Sequence, residues 1–337
     1  MTTISKLEFT IAVCTHNPKP SLLVRLLSAI QSLSDATKSI EIILVDNNSS
    51  TSVKELSCVH HFLEVIPFAR YVVEPRQGLT AARCRAIHET TAPIVVFFDD
   101  DNEPAPNYLQ VLQRYFRDYP NVGVWGPGQI TVEYVDPVEP WFEQHPEKFQ
   151  QRQLDFGYSC VPATWGSYSP NGTGFAVRRE ILQRYASAIE QGKLQATDRK
   201  GTSLASAGDV QIVWEGIKLG FAAGMIPELK CNHLIPAEKA NLSYLQRLYF
   251  GTASSYAPAL VESFSSHVDQ LGLPPTPVQI YKLLAKFWIK MLLRPHQRPE
   301  IQLKFASDLG GWYGHARALQ SPHALQLFSL AERLQLV

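Results

Sequence analysis

The run Pro93-Ile94-Val95-Val96-Phe97-Phe98 ends abruptly in Asp99, Asp100 and Asp101, and Asn102-Glu103-Pro104 follows. A short apolar run rich in β-branched and aromatic side chains, closed by turn formers, predicts a buried strand of a parallel sheet. The carboxyl end of such a strand is where open α/β sheets place their ligands. Three adjacent carboxylates repel one another unless a cation or a fixed set of donors is present, and a divalent metal meets that need most simply. Alternate residues of an extended chain share a side, so Asp99 and Asp101 can face one ion while Asp100 points elsewhere. Taken alone, the same residues also suit an acidic surface turn or a helix cap.

What surrounds the triplet predicts the rest of the fold. Apolar runs at 9–14, 40–45, 70–73 and 94–98 alternate with helical periodicity at 21–33, 79–89 and 105–117, which implies βαβ units and a mostly parallel sheet flanked by helices. Thr15-His16-Asn17-Pro18 closes the first run and Asp46-Asn47-Asn48-Ser49 the second, so polar residues collect at one sheet edge. Residues 122–125 continue the sheet, and 130–170, rich in Pro, Tyr, Trp and Gln without clear period, read as a lid or substrate loop. A strand restarts over 172–177, with a helix over 178–190 and a flexible loop over 192–208. Asp209 then opens an amphipathic stretch through Ile212, Val213, Trp214 and Ile217, stopped by Gly220. Beyond 237 the pattern is helical, at 241–262, 277–293, 300–319 and 322–335. This places an α/β domain over 1–240 and a C-terminal helical region over 241–337.

Composition removes several functions. Lys plus Arg and Asp plus Glu both number 31, so no global charge attracts nucleic acid. The five cysteines are scattered, odd in number and never spaced Cys-x-x-Cys, which argues against a disulfide framework and a zinc site and suits a reducing compartment. The N-terminus lacks the basic and apolar regions of a signal peptide, and no run approaches the ~18 apolar residues of a membrane span. A cytoplasmic protein is expected, with attachment to the inner face of a membrane as the alternative. Lys282, Lys286, Lys290 and Arg294 recur every four residues beside Trp288 and aliphatic side chains. They form either a solvated helix face or a contact with an anionic membrane that presents a lipid-linked acceptor.

Individual residues suggest roles, each with a plain structural alternative. Asp46 can accept from a ribose diol or a base N–H, or can merely close an Asx-turn, and Thr15 and Asn17 share that ambiguity. Glu74-Pro75-Arg76-Gln77-Gly78 turns into a helix carrying Arg83, which suits a diphosphate or an ion pair with the acidic triplet. There is no Walker A loop and no Gly-x-Gly-x-x-Gly. Asp209 is the candidate general base or a helix N-cap. His233, where a late strand would end, is a structural histidine or a third ligand for the cation.

In order, Ala12 to Asn17, Ile43 to Ser49, Gly78 to Arg83, Phe97 to Asp101, Asn171 to Arg179 and Gly208-Asp209 resemble a family 2 glycosyltransferase of GT-A fold over roughly residues 8 to 250. A haloacid dehalogenase-type phosphatase also carries Asp-x-Asp after a strand, but on its first strand and followed by Thr or Val. The resemblance implies a Rossmann-like sheet with a helical appendage and an Mn²⁺ or Mg²⁺ cofactor. By it, Thr15, Asn17, Asp46, Arg83, Asp99 and Asp100 would hold the nucleotide-sugar donor, and Asp101, Asp99 and His233 the metal. Gly172, Thr173, Gly174 and Phe175 would line the sugar and acceptor, and Asp209 would be the base of an inverting transfer, most simply from a UDP-sugar to a glycan or lipid-linked hydroxyl. Gly208 replaces the family's usual Glu, and Gln-x-x-Arg-Trp is missing, which implies a single transfer per encounter. The competing readings are a sugar nucleotidyltransferase, which lacks its Gly-rich N-terminal loop here, and a catalytically silent glycan-binding protein.

Overall fold

The computed structural model describes residues 8–36, 40–196 and 198–337, with the backbone alone at 34–36. Residues 1–7, on which the expectation about a signal peptide rests, and Thr197, within the segment expected from sequence to be a loop, lie outside the described residues, as do 37–39. The chain forms two units, Met1–Glu190 with Ile212–Pro236, and Gln191–Gln211 with Ala237–Val337.

Among the described residues the first unit holds ten strands in one sheet. They are β1 (Phe9–Thr15), β2 (Ile40–Asp46), β3 (Ala69–Val73), β4 (Ile94–Phe98), β5 (Asn102–Pro104), β6 (Val122–Tyr134), β7 (Arg152–Gln153), β8 (Gly157–Ser159), β9 (Ala176–Arg178) and β10 (Ala222–Ile235). The main order is β3-β2-β1-β4-β9-β6-β10-β5, with β7 on β6 and β8 on β10. β3, β2, β1 and β4 are parallel, as are β6 and β10. β9 runs antiparallel to both β4 and β6, and β5 antiparallel to β10. Helices α1 (Pro20–Ala36), α2 (Ser57–Val65), α3 (Leu79–Glu89), α4 (Tyr108–Asp118), α5 (Pro140–Gln144) and α6 (Arg179–Glu190) connect the strands, and α7 (Gly208–Lys218) leads into β10.

The parallel centre follows from residue choice. Every residue of β1 and β2 is buried, so both read as unbroken apolar runs rather than alternating ones. Apart from Thr15 and Asp46 at their ends, the exceptions are Thr10 and Glu41, and the Glu41 carboxylate accepts from Thr10 Oγ1 at 2.6 Å, Thr91 N–H at 2.6 Å and Ala92 N–H at 3.1 Å. Burial acts to raise its pKa, but these donors outweigh burial and hold it below the usual carboxylate range. Glu41 lies near the amino ends of the strands, away from the polar edge. On α1, Leu22, Leu23, Leu26, Leu27, Ile30 and Leu33 recur at helical spacing and are all buried.

The second unit contains α8 (Leu242–Ser263), α9 (Pro277–Leu293), α10 (Arg298–Ala318) and α11 (His323–Arg333). Gly310 and Gly314 let α10 approach α8 closely: a Cβ at either would collide with the backbone of Phe250 or Ser254. Phe250, Phe305, Leu309 and Leu327 are among its buried core residues. The segment 191–211 clusters with this unit. Glu262 on α8 gathers the N–H groups of Gln195 and Ala196, each at 2.8 Å, and the Gln211 amide at 3.0 Å. Among the described residues no helix is long and apolar enough to cross a membrane.

Candidate active site

Because β1 and β2 pair with Thr15 opposite Asp46, their polar ends form one edge. Thr15 Oγ1 donates to Asp100 Oδ2 at 2.5 Å and so ties the triplet to the end of β1. Asn17 adopts a left-handed φ of 49°. Its Oδ1 accepts both the N–H and the hydroxyl of Ser50 at 2.8 Å, and its own N–H donates to Ser49 Oγ at 2.9 Å. The Asp46 carboxylate accepts from Ser49 N–H at 3.0 Å, Val53 N–H at 3.0 Å and the Tyr71 hydroxyl at 2.6 Å. Burial works to raise the Asp46 pKa, and the Tyr71 and Ser49 bonds overcome it, so the group is held ionised below its ordinary value. A carboxylate fixed by this turn presents a defined charge at the sheet edge.

Neighbouring Asn47 was not singled out by the sequence, yet it organises the next loop. Its Nδ2 donates to the carbonyls of Glu74 and Arg76 at 3.2 and 2.7 Å, and its Oδ1 accepts the Gly78 N–H at 2.8 Å. The start of α3 is thereby tied to the end of β2.

The triplet forms a tight turn between β4 and β5. Asn102 N–H donates to the Asp99 carbonyl at 3.0 Å, while Asn102 Oδ1 accepts the Asp99 N–H at 3.1 Å and its Nδ2 donates to Asp101 Oδ1 at 2.9 Å. β5 pairs with β10 so that Asn102 lies opposite His233, and the Leu234 N–H donates to the Asp101 carbonyl at 2.8 Å. This pairing brings in a histidine from far along the chain, with His233 Nε2 3.5 Å from Asp101 Oδ2.

The other imidazole nitrogen, Nδ1, lies 2.8 Å from the Phe149 carbonyl oxygen, which can only accept. Nδ1 therefore carries the proton. With Nδ1 so engaged, Nε2 faces the Asp101 carboxylate, and an imidazole lone pair beside a carboxylate suits a shared cation. The donor set, one imidazole nitrogen beside carboxylate oxygens, suits Mn²⁺ or Mg²⁺. Among the described residues no group of three such side chains already converges at ligand distances.

Beneath this edge, Arg83 is buried, its guanidinium carbon 5.4 Å from the ring centre of Phe175 and 6.0 Å from that of Phe97. The Phe175 ring is fully buried against Phe97, at 5.3 Å between centroids, so it offers a ligand no ring surface. Gly174 has a φ of +67°, a conformation L side chains rarely adopt, and its carbonyl accepts from the Tyr108 hydroxyl. Gln150 Oε1 accepts from Asn171 Nδ2 at 2.6 Å and Thr173 Oγ1 at 3.0 Å, fixing the loop that contains Gly172 and Thr173. Arg152 donates to Asn171 Oδ1 at 3.0 Å, and burial brings its pKa down to about 10. The 130–170 stretch thus supplies Phe149 and Gln150, two contacts with no sequence pattern to announce them.

Asp209 stands in the first turn of α7, buried, with its Oδ1 accepting the Val210 N–H at 2.9 Å. Gly208 N–H donates to Asp198 Oδ1 at 2.8 Å. On the face of β5 opposite the triplet's histidine, Arg25 of α1 grips Glu103 at 2.6 Å and Glu133 at 2.5 Å, and Asn232 Nδ2 donates to Glu103 at 2.9 Å. The Arg25 hydrogen bonds hold both carboxyls below the usual range.

Carboxylates and an imidazole thus stand at the carboxyl edge of a mostly parallel sheet. The chain belongs to glycosyl transferase family 2, whose family model matches residues 10–186. No curated protein matches it. Among solved structures it is similar in fold to the mannosyltransferase PcManGT from Pyrobaculum calidifontis in complex with GDP-Man and Mn²⁺, at 20% identity and a TM-score of 0.51 over 99% of this chain and 82% of that one. GalNAc-T7 with UDP, GalNAc and Mn²⁺ matches at 15% identity and a TM-score of 0.48, covering 68% of this chain and 43% of that one. S. aureus TarS 1–349 matches at 13% identity and a TM-score of 0.45, over 93% and 92% of the two chains.

Proposed function

We propose that this glycosyltransferase moves a single sugar from a nucleotide-diphosphate sugar, UDP-linked in preference, to a hydroxyl of a glycan or lipid-linked acceptor, with inversion at the anomeric carbon. The observation that carries the reading is the His233 and Asp101 pair, in which the Phe149 carbonyl directs the Nε2 lone pair toward a carboxylate. Asp101, Asp99 and His233 would hold Mn²⁺ or Mg²⁺. A divalent ion bound there would neutralise charge on the leaving diphosphate.

The chain's own groups would do the rest. Thr15, Asn17, Asp46 and Asp100 would fix the base and ribose at the sheet edge. Arg83, buried below them, would act on the donor through its field and through the Phe97 and Phe175 rings it supports. The 171–174 loop, held by Gln150, would shape the sugar site with its backbone. Asp209 would take the proton of the acceptor hydroxyl while that oxygen bonds to the anomeric carbon and the bond to the diphosphate breaks, its electron pair leaving with the phosphate oxygen. The basic row Lys282, Lys286, Lys290 and Arg294 supports a peripheral approach to an anionic membrane bearing a lipid-linked acceptor.

A thermal-shift screen of nucleotide sugars with and without Mn²⁺ tests the reading, because a ligand selective for the native state raises its melting temperature. One donor should stabilise the wild type only with metal, and Asp101→Ala should abolish that shift. Equal donor affinity in both proteins, with and without Mn²⁺, would refute it.

A further inference from the structure

Helix α9 has no buried residue along its length. One side leans on the second unit's core through the partly buried Ile280, Leu283, Leu284 and Phe287. Elsewhere on the helix, Val278, Tyr281, Ala285, Trp288 and Leu292 follow one another at alternating spacings of three and four, which puts them in a single stripe. The four large side chains of that stripe are 57 to 76% exposed, and Ile289 and Leu293 beside it are exposed as well. A continuous exposed apolar stripe of this kind marks an interaction surface.

Its charge is equally one-sided. Lys282, Lys286, Lys290 and Arg294 flank the stripe, and no Asp or Glu occurs from 277 to 297. A groove of about 200 Å³ between α9 and α10 is lined by Lys286, Lys290, Arg294 and Lys304, with Glu300 and Asp308 on its α10 side. Lys304 is paired with Asp308 at 2.8 Å.

We infer that this face of α9 docks on an anionic bilayer. The apolar stripe enters the headgroup and acyl boundary, Tyr281 and Trp288 sit at the level suited to amphipathic rings, and the lysines and Arg294 meet lipid phosphates. At 17 residues the helix is about 25 Å long and lies along the surface rather than across it. A second copy of the chain fits this face worse. Pairing two such stripes brings lysines of both helices together with no acid in either to offset them. The inference deepens the proposed lipid-linked acceptor, but binding to a bilayer needs neither donor nor metal, so the two readings fail separately.

Flotation of the full chain with vesicles of pure phosphatidylcholine, and of an equimolar mixture of phosphatidylcholine and phosphatidylglycerol, tests it. The wild type should bind the anionic vesicles at least about tenfold more tightly than the neutral ones, and added salt should weaken that binding. Leu292→Glu, and separately Lys282→Gln with Lys286→Gln, should each weaken it about tenfold or more while leaving thermal melting unchanged. Equal binding to the two compositions, no binding, or unaffected binding by correctly folded variants would overturn the inference. So would sedimentation showing a dimer that Leu292→Glu dissociates, since that assigns the stripe to a second copy.

Discussion

Replacing Asn102 with alanine removes a fully buried amide that donates to Asp101 Oδ1 at 2.9 Å and accepts the Asp99 N–H at 3.1 Å. A neutral hydrogen bond contributes about 1 kcal/mol net and one to a carboxylate about 2 kcal/mol, so Asn102→Ala should cost about 3 kcal/mol. For a unit of this size that corresponds to a fall of about 6–12 °C in melting temperature. The same substitution frees the Asp101 carboxylate to rotate away from His233. Loss of such a supporting contact lowers metal affinity about 10–100-fold. Urea unfolding in the presence of a chelator measures the first effect without the second, and an Mn²⁺ titration followed by electron paramagnetic resonance measures the second. A stability loss below about 0.5 kcal/mol, or Mn²⁺ affinity within about twofold of wild type, would refute the argument that Asn102 holds the triplet in shape.

Asp209→Asn keeps the side-chain shape but removes the proposed base; transfer should fall by about 10²-fold or more while donor binding by calorimetry stays within about twofold, and wild-type turnover would exclude Asp209. The Arg25 clamp has a defined pH dependence. Because Arg25 depresses the pKa values of Glu103 and Glu133, its stabilisation is present above the ordinary glutamate value of about 4.3 and is lost as pH falls through the depressed values. Arg25→Met should therefore show a shallower loss of urea resistance than wild type between neutral pH and about pH 3; parallel curves would dismiss the clamp. Gly310→Val forces a side chain onto the Phe250 backbone and should destabilise the second unit by about 1–3 kcal/mol in a denaturant melt. An unchanged midpoint would mean that α8 and α10 can part without cost.

Some of this was open to reading because one-dimensional patterns report burial directly. The unbroken apolar runs of β1, β2 and β4 announce a parallel centre, and the polar residues at their ends announce an edge for ligands. The pattern at 130–170 failed for an equally physical reason. β6 extends through Tyr134 because β10 pairs with it as far as Ile235, a partner about a hundred residues away that no local window contains. β9 likewise runs antiparallel between β4 and β6, a direction set by its neighbours and not by its own three residues. The 192–208 loop could be recognised as a loop, but not that Glu262 would collect its amides.

The sequence by itself announced the central parallel strands, most of the helices and the family, since hydrophobic period, turn chemistry and motif order are properties of neighbours in the chain. Tertiary structure alone decided which groups meet. The β5 and β10 pairing sets His233 against Asp101, the Phe149 carbonyl chooses the histidine tautomer, and Thr15 takes hold of Asp100. Those contacts join residues tens to more than a hundred positions apart, and they depend on strand register and on a single backbone carbonyl whose orientation leaves no trace in side-chain identity. The aspartate triplet is legible as a charge to be balanced; only the fold specifies what stands opposite it.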